Sequence, residues 1–222
     1  MTHNNLNVQS HKDRSFNWFQ GIYQTLDPNE ISSRCGLPYD GEAFSIRIMG
    51  ITHRAYFPEF RLVDQAGTEN SAGFEKILFL RYLCEGRYAQ FTRKKLSYRE
   101  VPWGDTYFVN FENRCIKRLA RKFGGSLETF KKIMEDMKAE KQEKSDVGYR
   151  FEFMNGLYMT FFLWAADDEF PASAQILFDD NFVHAFTAED MALAGDVAIN
   201  YLARMDPKST FKIVNKSELA GF

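Results

Sequence analysis

Hydrophobic residues recur every three or four positions along several stretches of the chain, which is the spacing that places them on one face of an α-helix. The first such pattern begins at Arg14 and stops at Asp27-Pro28, and Pro28 suits the first turn of a second, short helix that ends at Gly36. The other predicted helices are Ser71–Cys84, Thr106–Phe123, Leu127–Met137 and Ala188–Arg204. Helices therefore account for a large part of the chain.

Elsewhere apolar and polar residues alternate, as they do along half-buried β-strands. A turn at Gly50 separates Phe44–Ile48 from Thr52–Phe57, which predicts a hairpin. Asn155-Gly156 predicts a second hairpin, because both residues tolerate the positive φ of a type I′ turn. The remaining predicted strands are Phe60–Val63, Leu96–Val101, Phe151–Phe153, Leu157–Ala165, Ala174–Phe178 and Phe211–Val214.

Together these elements predict one compact α+β domain, in which antiparallel strands pack against several helices. We expect this domain to span residues 14–222 and a flexible arm to occupy residues 1–13. The stretch Lys138–Asp146 carries almost no apolar side chain and is interpreted as a solvated helix end or a linker. Of the 222 residues, 45% are hydrophobic and 22 are Phe, so the composition favours a folded core and excludes disorder.

The three cysteines, Cys35, Cys84 and Cys115, include no closely spaced pair, so they do not make a zinc or iron–sulfur ligand set. We interpret them as free thiols that pack as small hydrophobic side chains in a reducing compartment. The first residues hold no apolar signal-like run, and Leu157–Ala166 is too short to span a bilayer. The sequence therefore predicts a cytoplasmic protein with no membrane partner.

Charge is unevenly distributed, although the formal net charge is only −2. Residues 81–150 contain 17 Lys and Arg against 10 Asp and Glu, whereas residues 151–203 contain 9 acidic residues and no Lys or Arg. Either the two segments dock on each other within the fold, which we favour because it uses their attraction, or one of them faces a partner. We do not expect nucleic acid as that partner, because Phe108, Phe111 and Phe123 follow the apolar stripe of the basic helix.

Two groups of carboxylates flank the predicted strand Ala174–Phe178. They are Asp167, Asp168 and Glu169 before the strand, just after Trp164, and Asp179 and Asp180 behind it. Clustered carboxylates suit Mg²⁺ or Mn²⁺. However, strands joined by only about eight residues pair antiparallel, which separates the two groups by roughly 17 Å, too far for one ion. We therefore interpret the carboxylates as turn and cap residues and assign no metal site.

Catalytic motifs are absent from the sequence. His53 lies in a predicted strand and His184 in the acidic segment, and neither has the spacing of a metal-binding His pair. The chain contains no GxSxG, GxGxxG or P-loop sequence. A thiol nucleophile at Cys84 or Cys115 would need an exposed sulfur with a lowered pKa. The sequence therefore leaves open whether the protein catalyses a reaction.

Three motifs are distinctive. They are Trp-x-x-Asp-Asp-Glu-Phe-Pro-x-Ser-x-x-x-Leu-Phe-Asp from Trp164 to Asp179, Leu26-Asp27-Pro28-x-Glu30-Ile31, and Ile77-Leu78 with Tyr82-Leu83. Over about residues 20 to 205 the chain resembles an uncharacterised family of anaerobic bacteria and archaea, domain of unknown function 3786. Some relatives carry an additional iron–sulfur domain similar to that of corrinoid proteins, so the resemblance implies a setting in corrinoid or one-carbon metabolism. This chain lacks those cysteines, so any cluster would belong to a partner protein.

Three hypotheses for the function follow. The first is a non-catalytic ligand-binding or accessory protein of such a cofactor system, with His184 or His53 as the candidate axial ligand of an unidentified cofactor. The candidate ligand-binding residues are Trp164, Asp167, Asp168, Glu169, Asp179, Asp180 and His184. The second is a metal-dependent enzyme that uses these carboxylates, and the third is a protein-interaction module with an acidic face. Carboxylates that converge on one cleft would favour the enzyme, and separate exposed turns would favour the binding protein.

Overall fold

The computed structural model describes residues 3–70 and 73–207. The strands are β1 (Ala43–Ile48), β2 (Ile51–Tyr56), β3 (Leu62–Asp64), β4 (Lys95–Ser97), β5 (Glu140–Gln142), β6 (Val147–Met154), β7 (Leu157–Trp164) and β8 (Ser173–Asp179). They form one eight-stranded antiparallel sheet with the order β3-β2-β1-β6-β7-β8-β4, and β5 pairs with β6 beside that path.

Helices surround this sheet and confirm the predicted α+β class. They are α1 (His3–Thr25), α2 (Pro28–Cys35), α3 (Gly73–Glu85), α4 (Gly104–Phe111), α5 (Lys117–Phe123), α6 (Leu127–Asp136), α7 (Phe182–Ala185) and α8 (Ala188–Met205). None of the helices in the described part of the chain is both long and apolar enough to cross a bilayer.

Both predicted hairpins are confirmed. Met49 and Gly50 join β1 to β2 with φ of 47° and 82°, and Asn155 and Gly156 join β6 to β7 with φ of 34° and 80°. The positive φ at the two central residues matches the twist of the flanking strands, which is why these sequences select a tight hairpin. β7 lies inside the sheet, between β6 and β8.

The local signals at the helix ends behave largely as predicted. The Asp27 side chain accepts a hydrogen bond from Asn29 N at 2.8 Å, and Gly36 closes α2 with a φ of 63°. The predicted helix Thr106–Phe123 is present, but a π-helical turn, Glu112–Ile116, divides it into α4 and α5. Ser126 holds the N-cap position of α6 and makes no side-chain capping bond there.

The interpretation of Lys138–Asp146 as a helix end or linker is wrong over three residues. β5 forms within it and pairs Glu140–Gln142 with 148–150 of β6. An edge strand that is solvated on its faces needs no apolar side chain, because the backbone of β6 supplies its partners, so the hydrophobic pattern carries no sign of it. The predicted strand Leu96–Val101 is shorter than expected, since a 3₁₀ turn replaces it after Ser97.

Two other predictions concern the ends of the chain. The helix predicted from Arg14 extends back to His3, so residues 3–13 have helical backbone. The flexibility that we expect of residues 1–13 stays a prediction. The predicted strand Phe211–Val214 lies outside the described residues.

Phenylalanine side chains fill the core on the sheet and beneath the helices. Those on the strands that are almost fully buried are Phe44, Phe151, Phe153, Phe161, Phe162 and Phe178. From the helices, Phe111 and Phe123 are also buried, which confirms the prediction for these two aromatic residues of the basic helix. Phe108 is half-buried and packs against the core. Tight packing of such large side chains fixes where α4, α5 and α8 lie relative to the sheet.

The oppositely charged segments contact each other directly. Their ion pairs are Arg81–Asp190, Arg114–Asp196, Arg118–Asp196 and Arg150–Asp179. Asp196 of α8 accepts hydrogen bonds from Arg114 in the π-helical turn and from Arg118 of α5, so α8 contacts the basic helix through a shared carboxylate. These contacts support the interpretation that the charge segregation serves the fold.

Candidate functional site

The first group of predicted carboxylates forms an exposed turn. Asp167 Oδ1 accepts hydrogen bonds from the backbone N–H groups of Glu169 and Phe170 at 2.9 and 2.6 Å. This is the geometry of an Asx turn, in which the side chain replaces a backbone acceptor. Asp168 and Glu169 are exposed, and Trp164 is half-buried at the end of β7. These residues stabilise the β7–β8 connection.

The second group has structural partners of its own. The Asp179 carboxylate is buried and forms an ion pair with Arg150 at 2.5 Å. Burial raises the pKa of Asp179 above its ordinary value, against the opposing effect of Arg150. Asp180 accepts hydrogen bonds from Thr92 N at 3.0 Å and from the Thr92 hydroxyl. Asp179 therefore links the end of β8 to β6, and Asp180 links it to the loop before β4.

The two groups do not converge. The register pairs Trp164 with Ser173 and Met159 with Phe178, so the carboxylates lie at opposite ends of the β7–β8 ladder, as the sequence predicts. Among residues 3–70 and 73–207, no group of three or more His, Cys, Asp and Glu side chains could hold a metal ion. His53 is buried in β2 with Nδ1 3.0 Å from Ile51 O, and burial lowers its pKa. This histidine is a packing residue.

His184, in contrast, lines a cleft. The cleft has a volume of about 320 Å³ and opens between α3, the loop before α4, and the segment that joins α7 to α8. Its polar and aromatic lining consists of Arg81, Glu85, Trp103, His184, Thr187 and Asp190. Val101, Pro102, Phe186 and Met191 add apolar surface. We call it the Trp103 cleft.

A buried ion pair belongs to the lining of this cleft. Arg81 Nη1 lies 2.9 Å from Asp190 Oδ1, and the Asp190 side chain is only 4% exposed. Asp190 Oδ2 accepts a hydrogen bond from the Thr187 hydroxyl at 2.7 Å. Burial raises the pKa of Asp190, and Arg81 opposes that shift. The carboxylate is therefore held in place by two partners but remains poorly solvated.

This ion pair is incompletely hydrogen-bonded. Arg81 Nε is buried without a hydrogen-bond partner, and Asp190 Oδ1 meets Arg81 without the geometry of a hydrogen bond. A buried polar group without a partner costs about 1–3 kcal/mol, so native proteins rarely leave one unless water or a ligand completes it. The pair therefore offers an unused donor and an unused acceptor position beside the cleft.

Trp103 is presented at the edge of the cleft by a constrained loop. Its side chain is 79% exposed, and its backbone adopts a left-handed conformation with a φ of 65°. The next residue must be glycine, because a Cβ at Gly104 would lie 1.8 Å from Tyr98 O. Tyr98 in turn donates a hydrogen bond from its hydroxyl to Ala188 O at 2.7 Å, which ties the loop to the start of α8. A strained backbone that exposes an indole ring is typical of a binding residue.

The cysteines behave as packing residues. Cys35 and Cys115 are buried and Cys84 is half-buried, and all three are free thiols. Burial raises the pKa of Cys115 to about 12 and that of Cys35 to about 11. Such thiols stay protonated at neutral pH, so they lack the thiolate that nucleophilic catalysis requires.

Of the residues that line this cleft, the sequence patterns indicate only His184 as a candidate. Arg81, Trp103 and Asp190 emerge from the structure. The Pro102-Trp103-Gly104 sequence carried a usable signal, since a large aromatic residue between two turn-forming residues is often exposed. No local pattern indicates that Arg81 meets Asp190, because 108 positions separate them.

Comparison with known proteins gives one match. A family model described as "Domain of unknown function (DUF3786)" matches residues 27–201, and every residue that lines the Trp103 cleft falls within this range. No curated protein and no solved structure matches the chain. Because the matched range covers well over half of the sequence, the chain belongs to the DUF3786 family.

Proposed function

We propose that the protein is a non-catalytic binding protein that holds a small molecule in the Trp103 cleft. The observation that carries this proposal is the buried, incompletely hydrogen-bonded ion pair Arg81–Asp190 beside a cleft with an exposed indole ring. Binding sites commonly combine apolar walls with a few fixed polar groups, and this cleft has both.

The lining defines the chemistry of the ligand. Trp103 offers a flat apolar face, on which a planar or aromatic group can stack. Arg81 Nε can donate one hydrogen bond, Asp190 Oδ1 can accept one, and the exposed imidazole of His184 can do either. A ligand with a planar body and a polar edge fits this arrangement. The volume of about 320 Å³ is at the small end of the range for ligand pockets.

A link to the corrinoid and iron–sulfur metabolism of anaerobes is part of this proposal. His184 is exposed on the wall of the cleft, so its imidazole is available as an axial donor to a metal-bearing cofactor, whereas His53 is buried. A corrinoid would supply methyl-transfer or electron-transfer chemistry when bound. The cleft of about 320 Å³ is too small to enclose a corrinoid, so a partner protein would have to hold most of such a cofactor.

The alternative of a metal-dependent enzyme receives no support from the carboxylates. Asp167, Asp168 and Glu169 form a separate exposed turn, and Asp179 and Asp180 are engaged with Arg150 and Thr92. The alternative of a protein-interaction module with an acidic face is weakened, because three carboxylates of the acidic segment form ion pairs within the fold. They are Asp179, Asp190 and Asp196.

The test is to purify the protein from an anaerobic host and to record its absorption spectrum and its native mass. We expect the wild-type protein to carry a small molecule and Trp103→Ala to lose it. Trp18→Ala is the matched control, because Trp18 is also exposed, at 69%, but lies on α1 outside the cleft. This variant should retain the molecule.

Titration with hydroxocobalamin and with haem tests the cofactor version separately. A change in the absorption spectrum that His184→Ala abolishes would support an axial imidazole. If the purified protein carries no small molecule, and neither titrant changes the spectrum, the binding proposal and its cofactor version are both wrong.

A further inference from the structure

The structure has a second cleft, which shares no residue with the Trp103 cleft. It has a volume of about 540 Å³ and lies between the β1–β2 turn and the α6–β5 turn, with β6 along its floor. Its residues are Arg47, Met49, Gly50, Ile51, Asp136, Met137, Lys138, Ala139, Glu140, Arg150, Phe151, Glu152 and Tyr158. We call it the Arg150 cleft.

The floor of this cleft is a gap in the sheet. β6 pairs with β7 on one side, and on the other side it pairs with β5 only as far as Arg150 and with β1 only at Met154. Within the described chain, Phe151 therefore has no ladder partner on that side, whereas Glu152 pairs with Tyr158 of β7. An unpaired stretch of strand is a ready template for a short extended backbone.

Charges of both signs surround this gap in equal number. The cations are Arg47, Lys138 and Arg150, and the carboxylates are Asp136, Glu140 and Glu152. Arg47 Nη2 lies 2.7 Å from Glu152 Oε2, and Arg150 Nη1 lies 3.3 Å from Glu140 Oε2. Asp136 Oδ2 lies 3.0 Å from Lys132 Nζ. Lys138 is exposed and forms no ion pair with the side chains that the structure describes, in residues 14–70 and 75–207. One cation is therefore available for an anionic group.

Arg150 gives the cleft a rigid wall. Its guanidinium carbon lies 3.9 Å from the centre of the Tyr158 ring and 5.1 Å from that of Phe91. Asp179 holds the same guanidinium from the buried side at 2.5 Å. Because Arg150 is fixed in this way, it holds Glu140 beside the gap, and less conformational entropy is lost when a ligand binds.

The geometry points to a binding site for a zwitterionic, peptide-like molecule of about dipeptide size in the Arg150 cleft. Lys138 and the exposed guanidinium of Arg47 form ion pairs with the carboxylate of the ligand. Glu140 and Asp136 form ion pairs with its ammonium group. The backbone N–H and C=O of Phe151, which face the gap, pair with its amide. These three contacts match the carboxylate, the ammonium group and the amide of a free dipeptide.

The test is isothermal titration calorimetry at low ionic strength with alanyl-alanine as the probe. We expect binding to the wild-type protein, and we expect about tenfold weaker binding to Lys138→Met, the loss of one charge-assisted contact. Lys141→Met is the matched control, because Lys141 is exposed on β5 next to the cleft but does not line it. This variant should bind like the wild type.

Alanyl-alanine amide, which lacks the carboxylate, provides the second arm. It should bind about tenfold more weakly than alanyl-alanine to the wild type, and the difference should vanish in Lys138→Met. Absence of heat for alanyl-alanine at about 10 mM overturns the inference, as does equal affinity of the wild type and Lys138→Met. Neither result bears on the Trp103 cleft, because the two clefts have no residue in common.

Discussion

Arg81 and Asp190 join α3 to the first turn of α8, with 2.9 Å between Nη1 and Oδ1. The carboxylate is almost completely buried, whereas Arg81 is 21% exposed and also lies over the ring of Phe19. Charged pairs of this kind contribute little net stability, because desolvation offsets their attraction. We therefore attribute the position of this ion pair beside a cleft to ligand binding and not to stabilisation of the fold.

Removal of Arg81 should be costly all the same. We expect Arg81→Met to lower the free energy of unfolding by about 2 kcal/mol at pH 7, because the Asp190 carboxylate would remain buried without its cation. Urea denaturation measures this change. Arg87→Met is the control, since Arg87 is exposed and should change stability by less than about 0.5 kcal/mol. Equal effects of the two variants would contradict the assigned role of the ion pair.

The stability should also depend on pH through Asp190. Burial raises the pKa of this carboxyl in the folded protein above its unfolded value, so its favourable contribution is full below the unfolded pKa. The contribution is lost as the pH rises through the folded pKa. Asp190→Asn lacks this loss, and its stability should therefore improve relative to the wild type between pH 4 and pH 7. Urea titrations at several pH values measure the difference, and a difference that does not vary with pH would contradict the expected shift.

Gly104 should be intolerant of substitution. In Gly104→Ala the new methyl group would meet Tyr98 O at 1.8 Å, so the loop that carries Trp103 must move. We expect a loss of about 2 kcal/mol in unfolding free energy and a shift in tryptophan fluorescence. Gly125→Ala is the matched control, because nothing lies within 4 Å of its added Cβ. A Gly104→Ala protein as stable as Gly125→Ala would show that the loop is not constrained.

The left-handed backbone at Trp103 should lower the free energy of unfolding, while the exposed ring serves binding. Trp103→Gly relieves the left-handed φ of 65° and should raise the unfolding free energy by about 1 kcal/mol, since the exposed ring contributes little burial. Trp103→Ala removes the ring but keeps the strain, so its stability should stay near that of the wild type. Thermal and urea denaturation distinguish the two variants, and a Trp103→Gly protein less stable than Trp103→Ala would contradict the strain argument.

Asp196 should be the main electrostatic link between α8 and the basic helix pair α4–α5. It accepts from Arg114 Nη2 at 2.9 Å and from Arg118, and its side chain is largely buried. We expect Asp196→Asn to cost about 1.5 kcal/mol in urea denaturation. Glu128→Gln should cost almost nothing, because Glu128 is fully solvated and 3.8 Å from Lys131. Similar losses in both variants would mean that the charge segregation is incidental to the fold.

Much of the local structure is readable from short patterns. Asn155-Gly156 predicts its hairpin because few residues accept the required positive φ, and Asp27 and Gly36 bound α2 for equally local reasons. The antiparallel pairing of β7 and β8, and with it the separation of the two carboxylate groups, follows from the length of the connection alone. β5 is not predicted from the sequence, because its pairing depends on the backbone of β6 and not on its own side chains.

The fold class, the hairpins and most of the helices can be predicted from the sequence, since they depend on residues within a few positions of each other. The positions of the two clefts, in contrast, depend on how the elements pack together. Arg81, Trp103, His184 and Asp190 come from four separate elements, and the gap beside β6 depends on where β1 and β5 end. Such sites are produced by the packing of distant segments, whose relative positions no local pattern specifies.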